Sequence, residues 1–515
     1  MLNLLNVKIR HQNGDLLIDT LNLQVHEHDR IGIIGEEGNG KSTLLKAIAD
    51  LSWVTDYAGI EGTICKERNL KIGYFAQALE PIWKDTLIYE YLLKSSPEAE
   101  VKQEQYNELR EYAKEAQQLK MDVELLQRDQ LIVQASGGEK VKLRFLKMLH
   151  EQPDILLLDE PTNDLDLDTL GWLESFMLGC TKPILFISHD DVLLERCANR
   201  IIHIEQRNHR TKPVTTVANT SYREYIESRG MRLEREQQQA KKEKAEYIKK
   251  KVKLNDLKNA VHDALNDTVR SPFYAAGLAR RMANLKAVDK RFENVGYSRV
   301  DTVEEAIDIG FKVAPLPTGK IILDLDRPVI GVGNRVLLEN VRLLIRGREK
   351  LALVGPNGCG KTIFMNQIYE LLKDRPDICV GYMPQDYARA FAGFDSPVAY
   401  LLNAGDKDDV TRSRDLLGRM KFTADDMLRP CASLSEGQKA KLCLLKFIKE
   451  DCNVLLLDEP TRNLSALSAP TICRILADYQ GCMFSISHDR TFLRSCADTI
   501  YEIKDRKLAV VNSIL

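Results

Sequence analysis

Lys41 sits near the end of the glycine-rich run GEEGNGKST (residues 35–43), and Lys361 near the end of a second, GPNGCGKT (355–362); both fit GxxxxGK[ST]. The chemistry of that spacing is phosphate binding. Gly35, Gly38 and Gly40 in the first run, and Gly355, Gly358 and Gly360 with Asn357 in the second, let successive backbone N–H groups converge on phosphate oxygens. The lysine supplies a mobile positive charge, and Ser42, followed by Thr43, or Thr362 offers a hydroxyl to Mg2+. Glu36 and Glu37 add negative charge beside the first loop and are tolerable only with their side chains turned outward.

Further along, DILLLDEP (154–161) and NVLLLDEP (453–460) each end an apolar run on two carboxylates. Asp159 and Asp458 suit Mg2+ binding through water, and Glu160 and Glu459 suit polarising a water that attacks a phosphate. An Asp-Glu pair that merely ends a surface strand is the bland alternative, and the phosphate loops upstream weigh against it. QASGGEK (134–140) and LSEGQK (434–439) precede these runs; ISHDD (187–191) and ISHDR (486–490) follow them. Ser136 and Ser435, Glu160 and Glu459, and His189 and His488 all lie 299 positions apart, so the chain carries a duplicated domain.

The elements that must hold these residues are also legible. DRIGIIG and EKLALVG read as buried strands before the two glycine loops, and LLKAIADL and IFMNQIYELL as helices after them. The expected fold is α/β, with two tandem P-loop ATPase domains (1–222 and 318–515) joined by a long helical hairpin linker (223–317). A chain of 515 residues is longer than one core usually supports. Its net charge of −2 argues against polyanion binding by the whole surface. Eleven cysteines without a CxxC pair suggest reduced thiols rather than a zinc site or a disulfide framework. No signal pattern opens the chain and no stretch approaches a membrane span, so a cytoplasmic location is expected.

Residues 223–265 contain no proline and one glycine, Gly230, and read as a helix of at most about 65 Å. A loop is expected at 266–277, punctuated by Pro272 and Gly277, with helix resuming over 278–292. Residues 223–292 hold 18 Lys plus Arg against 10 Asp plus Glu, a basic island in an acidic chain. Such a run is often only a solvated face, yet residues 234–246 are polar all round and find no core of their own. Arg270, Phe273 and Tyr274 at the tip, with Arg280 and Arg281 beside it, combine cations and stacking surfaces in the manner of RNA-binding elements.

The two P-loops, Gln77 after GYFAQ's strand and Gln385 after GYMPQ's, the SGGE and SEGQ signatures, LLLDEPT and SHD together resemble the nucleotide-binding domains of ABC ATPases over nearly all of 1–222 and 318–515. That resemblance implies head-to-tail pairing within one monomeric chain, each ATP lying between the P-loop of one domain and the signature of the other. One site would combine Lys41, Ser42, Gln77, Asp159, Glu160 and His189 with Ser435, Glu436 and Gly437. The other would combine Lys361, Thr362, Gln385, Asp458, Glu459 and His488 with Ser136, Gly137 and Gly138. It further implies catalytic roles for Glu160, His189, Glu459 and His488, and Mg2+ held with ATP by Ser42, Gln77 and Asp159 and by Thr362, Gln385 and Asp458. No aromatic adenine platform is evident: His11 stands upstream of the first loop, Val329 and Ile330 upstream of the second.

Tandem ABC domains joined by a basic hairpin look like the ABC-F family. That likeness implies a bacterial 70S ribosome as partner, through 23S rRNA and P-site tRNA, with no DNA and no membrane. The hairpin would enter the tRNA exit site with its tip toward the peptidyl-transferase centre. DEPTRNLSALS in the second copy, with Ser465 where the first has Asp166, is similar to the antibiotic-resistance, ribosomal protection group, which displaces drugs. A housekeeping ABC-F translation factor and the soluble ATPase subunit of a membrane transporter are the alternatives. In the family the loop bearing Asp166 links one site to the other, so two sites with unequal hydrolysis are expected.

Overall fold

The computed structural model describes residues 2–36, 38–94, 96, 98–162, 165–207, 212–267, 272–295, 310–311, 314–333, 335–387, 390–391, 393–402, 407–420, 422–462, 464 and 469–511. In the N-terminal half the strands are β1 (Leu2–His11), β2 (Leu16–Val25), β3 (Arg30–Gly35), β4 (Ala58–Lys66), β5 (Ile72–Phe75), β6 (Ile155–Asp159), β7 (Ile184–Ile187), β8 (Arg200–Arg207) and β9 (Lys212–Ala218). They form an antiparallel sheet ordered β2-β1-β4 and a six-stranded sheet ordered β5-β6-β7-β3-β8-β9. Every residue of β6 and β7 is buried, which is why both read as unbroken apolar runs: a parallel strand covered on both faces has no solvent side to alternate toward.

The C-terminal half repeats the plan. An antiparallel ribbon, β10 (Ile321–Val332) and β11 (Arg335–Arg346), accompanies a sheet of β12 (Lys350–Val354), β13 (Val380–Met383), β14 (Val454–Asp458), β15 (Cys482–Ile486), β16 (Thr499–Lys504) and β17 (Lys507–Val511), ordered β13-β14-β15-β12-β16-β17. In both sheets the parallel register collects the carboxyl ends of five strands at one edge, where ligand-binding loops of open α/β sheets gather. β3 and β12 lead into the glycine loops, β5 and β13 into Gln77 and Gln385. β6 and β14 end on Asp159 and Asp458, and β7 and β15 lead to His189 and His488. Leu44, Leu45 and Ile48 of the helix Lys41–Ala49 pack with Ile31, Leu157 and Leu185 in the first core, and Phe364, Met365 and Ile368 do the same in the second. The loop's position is therefore fixed by apolar packing on both its sides.

The linker differs from expectation at its tip. One helix runs Tyr222–Asp267 and the next Pro272–Val295, so Phe273, Tyr274 and Gly277 have helical backbone where a loop was expected, and Arg270 lies outside the described residues. Pro272 takes the first helical position, where its missing N–H is not needed and its fixed φ suits the helix; it starts the element instead of interrupting it. An ion pair between Lys258 and Asp289 joins the two helices into a hairpin. Compact units divide accordingly: Met1–Gln206, Arg210–Tyr222 and Ala306–Leu515 form one, and Arg207–His209 with Arg223–Glu305 the other. No described helix is long and apolar enough to cross a membrane.

The N-terminal and C-terminal halves meet through a buried charge cluster. Arg490, 6% exposed, pairs with Glu174 of the helix Leu167–Gly179 and, at 3.4 Å, with Asp190; Arg196 adds a second bond to Glu174 at 2.8 Å. The first copy has Asp191 at the position of Arg490, so the pseudo-symmetry is broken here. Removing one partner of a buried pair strands the other charge. Glu174→Ala is therefore expected to destabilise the chain by about 3 kcal/mol or more, read as a lowered midpoint of thermal unfolding; an unchanged midpoint would show that the cluster does not join the halves.

Candidate nucleotide sites

The glycine loops turn into their helices through Gly40 (φ 86°) and Gly360 (φ 101°), left-handed positions where a Cβ would also press on Leu17 or Leu337. Both loop lysines are buried. Lys41 Nζ donates to the carbonyls of Gly35 and Glu36, each at 2.9 Å, and Lys361 Nζ to those of Gly355 and Pro356 at 2.7 and 3.0 Å. Each ammonium thus stands over the loop mouth, held by carbonyls that an anionic ligand could replace. Burial works against the Lys361 charge and draws its pKa below the ordinary value. Glu36 takes part through its backbone, and Glu37 lies outside the described residues.

The carboxylates behind the loops are almost solvent-free: Asp159 is 2% exposed and Asp458 1%. Burial pushes both above the ordinary carboxylate range, against hydrogen bonds from Ser42 and Tyr74 to Asp159 and from Thr362 to Asp458. Ser42 Oγ donates to Asp159 Oδ1 at 2.9 Å and the Tyr74 hydroxyl to Oδ2 at 3.1 Å. In the second site Tyr382 instead donates to Asn366 Oδ1 at 2.5 Å and stacks on Tyr369, which leaves the buried Asp458 Oδ2 without a hydrogen-bond partner. An orphaned oxygen on a buried carboxylate that also receives the Thr362 hydroxyl is a donor set that fits a hard, oxygen-loving cation such as Mg2+. Tyr74 was not singled out from sequence; its only signal is its place in GYFAQ, and GYMPQ carries the same tyrosine with a different partner.

Glu160 and Glu459 both adopt left-handed backbone, at φ 49° and 54°. Such a conformation costs a non-glycine residue about 1–3 kcal/mol, and it turns the side chain off the strand toward the loops. Glu160 is held from two sides: Gln77 Nε2 donates to Oε2 at 3.0 Å, and His189 Nε2 lies 3.1 Å from Oε1. Glu459 is looser, with His488 Nε2 at 3.8 Å and the His488 N–H at 3.4 Å. Burial, then the Asp458 carboxylate beside it, pushes Glu459 up to about 8; burial, then the Lys361 charge, pulls His488 down to about 4. Both shifts favour the neutral forms of the carboxyl and the imidazole in the second site.

Both signature serines cap helices. Ser136 Oγ accepts the Glu139 N–H at 3.2 Å and Ser435 Oγ the Gln438 N–H at 3.3 Å, each within a capping box. Capping engages an oxygen lone pair and leaves each hydroxyl proton available as a donor. One open cavity is lined by Gly137, Thr162 and His189 of the first half and by Asn357, Gln385, Glu459 and His488 of the second. Here the first signature faces the second P-loop. Asp166 completes the junction: it caps the helix Leu167–Gly179 by accepting the Thr169 N–H at 3.0 Å. Burial opposes its charge, but the bonds from Thr169, the nearby His488 and the Asn357 backbone N–H outweigh it and hold Asp166 below the ordinary range. Ser465 lies outside the described residues, as does the geometry it would give the other site. Ser435, Glu436 and Gly437 are placed at the start of their helix, where Glu436 pairs with Lys439 at 2.6 Å.

The model of the family described as ABC transporter matches residues 18–163 and 338–462, more than half of the chain. The chain is 29% identical to the YdiF protein of Bacillus subtilis, over 95% of this chain and 78% of that one. It is 25% identical to ABC transporter F family member 2 of Arabidopsis thaliana (96% and 75%), and 27% identical to the ribosome protection protein VmlR of Bacillus subtilis (93% and 82%). Among solved structures it superposes on RNase-L inhibitor with a TM-score of 0.58 at 17% identity, over 98% of this chain and 89% of that one, a likeness of fold.

Two outcomes follow for the second site. A carboxyl raised from 4.5 to about 8 binds a proton in the folded state that the unfolded state has released, so its contribution to stability is complete below pH 4.5 and lost as pH rises through 8. Without nucleotide, Glu459→Gln should therefore gain thermal stability over the native chain as pH rises from 5 to 8 and level off above; a pH-independent difference would contradict the shift. Separate Glu160→Gln and Glu459→Gln variants should lose unequal shares of ATP turnover, because the two glutamates are held differently; equal losses would refute the asymmetry.

Proposed function

The chain belongs to the ABC family as an ABC-F protein whose two ATPase domains bind and hydrolyse ATP, and on that premise we propose that it protects bacterial ribosomes from antibiotics acting near the peptidyl-transferase centre. In this reading the Lys41 and Lys361 ammonium groups leave their loop carbonyls for the ATP phosphates, joined by backbone N–H groups of the glycine loops. The opposite signature, Ser136 to Gly138 or Ser435 to Gly437, donates to the same nucleotide, so ATP joins the two halves. Glu160 and Glu459 orient the attacking water and accept its proton, while His189 and His488 steady the γ-phosphate. Ser42, Gln77 and Asp159, or Thr362, Gln385 and Asp458, would hold Mg2+, which would supply charge neutralisation at the phosphates. Glu459 must lose its proton to serve; a bound Mg2+ would favour that loss, whereas the phosphate charges would oppose it.

The observation that carries the ribosome reading is the hairpin. Its two helices are joined by the Lys258–Asp289 pair and expose Lys241, Lys242, Lys249, Lys250, Lys253, Arg280 and Arg281. A long basic helix with no continuous apolar face is suited to RNA phosphates and 2′-hydroxyls rather than to membrane helices. The likeness to VmlR supports protection as the purpose. Closure on ATP would fix the hairpin for binding at the tRNA exit site, and hydrolysis would release it; the ribosome must favour the ATP-closed form for this to work.

A drug-sensitive bacterium expressing the chain should show a raised inhibitory concentration for at least one of lincosamides, pleuromutilins, streptogramins A, phenicols, oxazolidinones and macrolides. The rise should vanish in the Glu160→Gln, Glu459→Gln double variant and on deletion of 266–277. No rise, with the protein cosedimenting with ribosomes, would favour a housekeeping translation factor instead.

A further inference from the structure

At the edge of the second parallel sheet opposite the nucleotide loops, the sulfurs of Cys379 and Cys452 approach to 3.4 Å. Cys379 directly precedes β13 and Cys452 stands two residues before β14, and the strands pair in parallel from Val380 opposite Val454. The bracket between them is rigid. The Cys379 N–H donates to Asn453 Oδ1 at 2.9 Å, and the Asn453 and Val454 N–H groups donate to the Cys379 carbonyl at 3.0 and 3.1 Å.

The duplication supplies an internal control. In the first half the Lys71 N–H donates to Asp154 Oδ2 at 2.9 Å and the Asp154 N–H to the Lys71 carbonyl at 2.8 Å, the same bracket, with Lys71 and Pro153 at the positions of the two cysteines. Lys71 Nζ reaches the Glu151 carbonyl at 3.4 Å as Cys379 Sγ reaches that of Glu450 at 3.6 Å. The backbone arrangement thus forms without thiols, and facing thiols are an addition of the second copy. One member is half-exposed and the other buried.

We propose that Cys379 and Cys452 form a redox-modification site that peroxide closes to an intramolecular disulfide. The accessible Cys379 sulfur attacks one peroxide oxygen, the O–O bond breaks, and a sulfenic acid and one water result. The Cys452 sulfur then attacks the Cys379 sulfur, the S–S bond forms, and the sulfenic oxygen leaves with the Cys452 proton as a second water. Two thiols lose two electrons and one hydrogen peroxide gains them. Burial raises the Cys452 thiol above its ordinary range, which leaves the accessible Cys379 as the member that meets peroxide first. Closure from 3.4 Å to a bonded distance of about 2.0 Å needs only a small movement of two strand-leading residues. The strands so tied carry Gln385 beyond the end of one and Asp458–Glu459 at the end of the other, so oxidation fixes the spacing of the second nucleotide site's own supports. The site stands independently of the ribosome reading.

The test is peroxide titration of the full-length protein, with acid quench, alkylation and peptide mapping by mass spectrometry, in the presence and absence of dimedone. The expected result is a Cys379–Cys452 linked peptide pair that grows with peroxide, disappears with dithiothreitol, and outpaces any link to the other nine cysteines. In Cys452→Ser, dimedone should trap Cys379 instead. Overoxidised or dimedone-trapped Cys379 without the link in the native chain, links to other cysteines at equal rate, or no oxidation at peroxide levels that consume free glutathione would each overturn the proposal. The native-chain mapping does not depend on the variant folding.

Discussion

Two carboxylates buried at the ends of all-apolar strands are the constraint around which each half is built. Asp159 and Asp458 cannot be solvated where β6 and β14 leave them, and neither has a cationic partner of its own among the described bonds. Burial of this kind is tolerable only where polar donors converge, and the fold supplies them by stacking the ends of β3, β5, β6 and β7 at one edge. Ser42 and Tyr74 satisfy the first carboxylate fully; the second keeps an open oxygen because Tyr382 is held by Asn366 and Tyr369. The same scaffold therefore yields one tightly bonded site and one whose carboxyl and imidazole are both shifted toward their neutral forms.

The halves are also tied unequally. Arg490 reaches Glu174 and Asp190 where the first copy offers only Asp191, and Asp166 caps its own helix while receiving the Asn357 N–H of the opposite loop. An N-cap carboxylate that also serves the facing P-loop makes one domain's helix start part of the other domain's site. Any change in how the halves meet must then alter the second site's loop directly.

The duplicated motifs were legible because each is short, contiguous and set in a strand-loop-helix pattern, and the constant offset of 299 paired the signature, the Asp-Glu run and the SHD run of the two copies. Residues paired by tertiary proximity were not: Arg490 and Glu174 are 316 positions apart, and nothing in ISHDR names a partner. The left-handed backbone of Glu160 and Glu459 was hidden as well, since glutamate gives no sign of φ above zero. Gly277 and Pro272 suggested a loop at the hairpin tip because both residues break helices in mid-element; at a first turn proline does the opposite, and Phe273 and Tyr274 accordingly sit in helix.

That each nucleotide depends on both halves is the claim on which the rest turns, and photoaffinity labelling with an azido-ATP, mapped to the two P-loop peptides, tests it most directly. In a Gly137→Trp variant, whose new side chain would fill the cavity shared with Asn357 and Glu459, labelling of the 355–362 loop should fall by on the order of tenfold or more while that of 35–43 persists. Undiminished labelling of 355–362, or loss confined to 35–43, would contradict the composite site.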